Sequence, residues 1–127
     1  MFYEWLIPQH VALIRLEGVL DVSKLAEADR AIISQFLDNS SADQVHLIFD
    51  NTRMFTIPPQ NVYRHIHFTG HERLGWMVSY GNNDLTRFFL SRLADKKRLY
   101  IQTLDSKQDC IDFLSEMDAN LSTAVTP

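Results

Sequence analysis

The chain has 127 residues, 46% hydrophobic and 22% charged, which fits one globular domain burying roughly two-thirds of its unfolded surface. Its single cysteine, Cys110, rules out an internal disulfide and suits a reducing compartment. The net charge of −4 argues against bulk nucleic-acid binding, no run reaches the roughly 18 apolar residues of a membrane span, and the stretch from Met1 to Ile7 lacks the build of a signal peptide, so a cytoplasmic protein is expected.

Phe2 to Ile7 and His10 to Leu16 read as two strands across Pro8-Gln9, an antiparallel hairpin. Strand alternation puts Ala12, Ile14 and Leu16 on one face and Val11 and Leu13 on the other, followed by Arg15 and Glu17. After the bend at Gly18 to Asp21, Ser23 can cap a helix over about Lys24 to Leu37. Leu25, Ala28, Ile32 and Phe36 form its apolar stripe. Val45 to Phe49 is a third strand.

Residues 50–74 are irregular, with Pro59 suited to start a helix running to about Thr69, Val62 and Ile66 pointing inward and Gly70 ending it. Trp76 to Tyr80 is a fourth strand, and Gly81-Asn82-Asn83 turns into a helix from about Asp84 to Lys96 with Leu85, Phe88, Phe89 and Leu93 buried. Leu99 to Leu104 is a fifth strand. Ser106, with Asp109 three residues on, caps a last helix to about Asp118, with Cys110, Phe113, Leu114 and Met117 inward. The domain is thus expected over 1–118, with 119–127 a frayed tail. Strands alternating with helices predict a largely parallel sheet, made mixed by the hairpin: an α/β fold of about five strands and four helices.

The charge is unevenly spread. Residues 1–50 carry 3 Lys/Arg and 8 Asp/Glu, residues 51–100 carry 8 and 3, and residues 101–127 carry 1 and 5. A basic middle between acidic ends permits an anion site or self-association of opposite patches, unless folding mixes the charges.

Three constellations bear on function. Gly81, Asn82 and Asn83 open a helix after a strand, where backbone N–H groups attract anions; Asn51, Thr52 and Ser106 follow other strands and fall on the same predicted edge, where open α/β sheets bind ligands. Phe55, Tyr63, Phe68 and Trp76 gather large apolar groups around irregular backbone, as satellite core, an apolar pocket or an interface. His67 and His71 are four apart, the spacing of helical zinc ligands, with His65 nearby. No general base lies between them and Gly70 weakens the helix, so no metal or cofactor is expected. Cys110 reads as a small core residue, and no serine sits on a nucleophile elbow. Asp50 and Asp105, which end or follow strands, read as turn or cap residues before acid–base groups.

The element order, with the segments Val11-Ala12-Leu13-Ile14-Arg15-Leu16-Glu17-Gly18 and Val45-His46-Leu47-Ile48-Phe49-Asp50, resembles the STAS-like fold of anti-sigma-factor antagonists, and the small SpoIIAA-like branch most. The resemblance covers about residues 2–118. Those antagonists carry an Asp-Ser-Ser-Gly or Asp-Ser-Thr-Gly stretch whose hydroxyl is phosphorylated. Here the corresponding stretch is Phe55-Thr56-Ile57-Pro58-Pro59-Gln60, with no serine and no glycine, so the kinase-partner switch does not carry over. What the resemblance implies is a non-enzymatic binding or regulatory module, working on a protein partner or a small anionic or apolar ligand, and a homodimer. The residues leave two alternatives: a carrier of an apolar, lipid-like ligand under residues 54–77, and an enzyme using the His65/His67/His71 region.

Overall fold

A computed structural model describes residues 1–56, 66–97 and 99–121, with side chains except those of Phe55, Thr56, Asp84, Leu85, Phe88, Phe89, Leu93, Lys96 and Lys97. One five-stranded sheet organises the chain, with β1 (Phe2–Ile7), β2 (Val11–Val19), β3 (Val45–Thr56), β4 (Leu74–Tyr80) and β5 (Ile101–Thr103) side by side in sequence order. β1 runs antiparallel to β2, and the remaining neighbours are parallel, so the expected mixed α/β sheet is present. The hairpin turns at Gln9, whose φ of 71° is the left-handed conformation that a non-preferred Pro-Gln turn must adopt.

The period-2 pattern of β2 sorts the core. Ala12, Ile14 and Leu16 join Leu25, Ile32, Phe36, Leu47 and Met77 on one face of the sheet, and Val11 and Leu13 join Ile48, Val78, Cys110 and Leu114 on the other. The first face is covered by α1 (Val22–Ala31), its continuation Ile32–Leu37, which widens into a π-helical turn, and α2 (Asp84–Lys97). The second face is covered by α3 (Lys107–Met117). Among the described residues no helix is long and apolar enough to cross a membrane.

Several sequence expectations shift. Asp21, not Ser23, caps α1, its carboxylate accepting from the Lys24 N–H at 2.8 Å; Ser23 lies inside the first turn. β3 runs to Thr56 instead of ending near Phe49, because β2 also continues past Leu16 and pairs Glu17, Gly18 and Val19 with Arg53, Met54 and Thr56. Ladder pairing thus overrides the weak strand preference of these polar residues. β5 shrinks to three residues. Met117 is exposed, because α3 packs through Cys110 and Leu114 and its last residue has passed the sheet. Packing continues beyond 118, with Leu121 fully buried in the α3-side core.

Of the helix expected from Pro59 to Thr69, residues 57–65 lie outside the described residues; the rest is not α-helical, and only Phe68–Gly70 forms a single 3₁₀ turn. Ile66 is buried as expected, and Val62 falls outside. The four expected inward side chains of α2, Leu85, Phe88, Phe89 and Leu93, are likewise not described.

Candidate functional site

Alternation along β3 sends Asp50 and Asn51 to opposite faces of the sheet, and each becomes the centre of a different polar arrangement. Asn51 faces α1 and is 5% exposed. Its Nδ2 donates to Asn82 Oδ1 at 2.6 Å, and Asn82 Nδ2 donates to Ser79 Oγ at 2.8 Å. The approach of the two chains depends on Gly81, which has φ of 75°; a Cβ there would lie 2.8 Å from the Thr52 backbone nitrogen. Asn83 is used as the cap of α2, accepting from Thr86 N–H at 2.8 Å.

The expected edge constellation is therefore partly assembled. Asn51, Thr52, Gly81 and Asn82 meet, and Asn83 follows them. Ser106 caps α3 by accepting from Asp109 N–H at 3.1 Å, and no hydrogen bond among the described residues links it to the asparagine pair. Of the cations that could add charge there, Arg53 is largely exposed and faces Glu17 at 3.9 Å, and Arg87 is exposed. Among the described residues the site is polar and uncharged.

One atom of it is unsatisfied. Asn51 Oδ1 is buried and has no hydrogen-bond partner among the described residues. Asn51 also lines a cavity of about 80 Å³ between the sheet and α1, walled by Leu16, Ile32, Ile66, Phe68 and Met77. Asp29 and Thr86, both buried, reach the same wall. Asp29 Oδ1 accepts from the N–H groups of His67 at 2.6 Å and Phe68 at 2.8 Å, pinning the returning chain onto α1. Sequence reasoning passed over Asp29; the available signal was a carboxylate four residues after Leu25, inside the apolar stripe.

Of the four residues expected to form an apolar pocket or interface, Phe68 lines this cavity. Trp76 does not: it lies on the opposite face, between Tyr100 and Phe113 with ring centroids at 5.1 and 5.0 Å. The Phe55 side chain and Tyr63 are outside the described residues.

On the α3 face, polar groups find partners. Asp50 accepts from Arg15 Nε at 3.1 Å, from Thr52 N–H at 3.0 Å and from Thr52 Oγ1 at 2.6 Å, and the Tyr80 hydroxyl also donates to it. Burial alone raises the Asp50 pKa; the bonds from Thr52, Arg15 and Tyr80 outweigh it and hold the carboxyl below its usual value. Burial, then the bond to Asp50, pushes the Tyr80 hydroxyl up to about 12. Asp105, read with Asp50 as a turn or cap residue before an acid–base group, is exposed and is not among these partners.

His46 is fully buried in the same layer. Its Nδ1 accepts from Trp76 N–H at 2.9 Å, so the proton sits on Nε2, which donates to Asp118 Oδ2 at 2.8 Å. Burial pushes Cys110 up to about 12, with the nearby Asp109 charge adding to it, so it is a packing residue and not a nucleophile at neutral pH.

Among the described residues the histidine region forms no ligand set. His67 and His71 flank the 3₁₀ turn instead of sharing a helix face, because the backbone is extended at His71. His71 Nδ1 accepts from Arg73 N–H at 3.1 Å and Nε2 bonds Asp38 at 2.8 Å. His65 is outside the described residues, and among those described no group of three or more His, Cys, Asp or Glu could hold a metal.

Comparison with known proteins places the architecture. No family model matches the chain, and no curated protein does. Two of the solved structures that match do so over nearly their whole length. The Bacillus cell fate determinant SpoIIAA in its phosphorylated form shares 17% identity at a TM-score of 0.52, covering 89% of this chain and 97% of its own. The anti-sigma factor antagonist SpoIIAA in its unphosphorylated form shares 15% at 0.55, covering 90% and 98%. With the sequential mixed sheet and its helices, this likeness shows that the chain carries the SpoIIAA-like, STAS-like fold.

Proposed function

We propose that this protein is a non-enzymatic binding or regulatory module that acts through contact with protein, a second copy of itself first. The observation that carries this reading is how fully the described reactive groups are committed internally. Asp50, His46, Asp29 and Cys110 are each buried, and the first three spend their hydrogen bonds on other parts of the chain. Among the described residues none of the four forms a nucleophile–base pair. The fold likeness to an anti-sigma factor antagonist supports a binding role, while the stretch Phe55-Thr56-Ile57-Pro58-Pro59-Gln60 offers no equivalent of a phosphorylated serine.

The surface best suited to a second copy is β1. It is a six-residue edge strand with no strand on its outer side among the described residues, and an antiparallel pairing of two such edges is self-complementary about a twofold axis. Phe2 is 41% exposed at its start, held under the Arg15 guanidinium 5.3 Å above its ring.

Sedimentation velocity over a concentration series tests the reading. A dimer is expected, and Phe2→Arg shifts it toward monomer with a modestly lower thermal midpoint, because the ring also packs under Arg15, while the monomer keeps the wild-type far-UV circular dichroism. Wild-type protein that stays monomeric at its solubility limit removes the self-association reading.

A further inference from the structure

The cavity beside Asn51 has features that packing alone does not explain. Its walls are almost wholly apolar, so water gains little there, and an apolar cavity of comparable kind stays dry and takes up small hydrocarbons. Yet one of its lining residues is a buried amide with an unused hydrogen-bonding atom. Leaving such an atom unpaired is costly, and native proteins rarely do so without cause.

The orphan survives any reassignment of the amides. As placed, Asn51 Nδ2 donates to Asn82 Oδ1 and Asn51 Oδ1 is left over. If both amides turn together, the Ser79 hydroxyl donates to Asn82 Oδ1, Asn82 Nδ2 donates to Asn51 Oδ1, and Asn51 Nδ2 is left over. At this wall the Asn51 amide therefore holds one acceptor or one donor unpaired among the described residues. A hydroxyl satisfies either state, being both.

Charge narrows the choice further. Asp29 is also a lining residue, while no Lys or Arg is among the lining residues that the structure describes. A ligand carboxylate would face like charge and lose its water without a cationic partner. We infer that this cavity is a binding site for a small aliphatic molecule with one uncharged hydroxyl, read by the Asn51 amide. The site is independent of the β1 edge, so the two proposals stand or fall separately.

The chain supplies its own reporters. Of its four methionines, Met54 and Met77 line the cavity, and Met1 and Met117 are exposed elsewhere. With ¹³C-methyl methionine, 1-pentanol should shift the Met54 and Met77 signals saturably and leave Met1 and Met117 in place. At neutral pH pentanoate should bind about tenfold or more weakly, and 1-fluoropentane, which keeps the shape but cannot donate, several-fold more weakly. Asn51→Ala, which removes the amide and leaves the cavity open, should abolish the preference for pentanol over fluoropentane. No saturable shift, or parallel shifts of all four methyls, overturns the site. Pentanoate binding as well as pentanol overturns the neutral-head assignment, and fluoropentane doing so overturns the role of Asn51. The wild-type series decides these points even if the variant does not fold.

Discussion

The two faces of the sheet solve the same packing problem differently. Beneath α3, polar groups are built into the core and satisfied: His46 bridges Trp76 N–H and Asp118, and Asp50 takes bonds from Arg15, Thr52 and Tyr80. Beneath α1, a larger apolar cluster leaves a cavity and one unpaired amide atom. Satisfied polar groups are the expected state of a core, so the interior beneath α3 reads as scaffold, with a polar cleft of about 510 Å³ opening at its edge beside Asp118, His10 and Asn120. The α1 face departs from that state at the cavity and at Asn51. Structural residues and candidate functional ones are thus separated by one step along β3, from Asp50 to Asn51.

The sharpest way to break that contrast is to disturb the α3 face where it has no slack. A Cβ on Gly75 would lie 2.6 Å from His46 Cε1, and the ring is fully buried with both nitrogens engaged. Gly75→Ala must displace the imidazole or the strand, and a loss of about 3 kcal/mol in a urea melt is expected. Asp118→Asn refines the test. The amide oxygen still accepts from His46 Nε2–H, so a loss of only about 1 kcal/mol follows. Equal losses for the two variants would show that the charge of Asp118, and not the fit around His46, secures this face.

Next in size is the carboxylate pair. Asp50 and Asp118 are both held below the usual value of 3.8, against the effect of burial, by the bonds each accepts. A carboxyl lowered in the folded state contributes stability that is fully present above its unfolded pKa and is lost as pH falls through the folded one. Stability should therefore be flat near neutrality and fall on acidification from about pH 4 downward. Asp50→Asn places an amide N–H against the donors of Arg15 and Thr52, costing about 2 kcal/mol at neutral pH. It should also make the acid limb shallower. An unchanged acid limb would mean that Asp50 carries no linkage.

Much of this layout was legible in the chain, and what escaped has physical reasons. The alternation of residues 11–16 and the stripe Leu25, Ala28, Ile32, Phe36 directly report burial, and both hold. Ser106 was readable as a cap because capping is local. Asp21 was misjudged for Ser23 by two positions, since both types cap and only the backbone turn chooses between them. Extension of β3 to Thr56 could not be read, because it depends on a partner strand thirty-odd residues away. The asparagines were picked out by position after strands, but their pairing needs the close approach at Gly81, and the cavity beside them is a property of three packed elements. Trp76 looked like part of an apolar pocket because sequence proximity to Phe68 hides the fact that β4 alternation turns it to the other face.

The smallest expected effect has the opposite sign from the others. Asn51→Leu replaces a buried amide with an unpaired atom by an aliphatic group, and the adjoining cavity of about 80 Å³ has room for the extra carbons. Burying more apolar surface and removing the unsatisfied atom both stabilise. Against them stands the lost bond to Asn82, which is only partly buried and regains a partner from water. The balance is a gain of about 1 kcal/mol in the unliganded protein, read as a higher urea midpoint at constant slope. A comparable Asp50→Leu change on the α3 face would be strongly destabilising, because it leaves Arg15 and Tyr80 without their acceptor. Stabilisation at one position and collapse at its neighbour is what separates a residue kept for binding from one kept for folding. If Asn51→Leu instead destabilises, the amide belongs to the scaffold and the contrast between the two faces disappears.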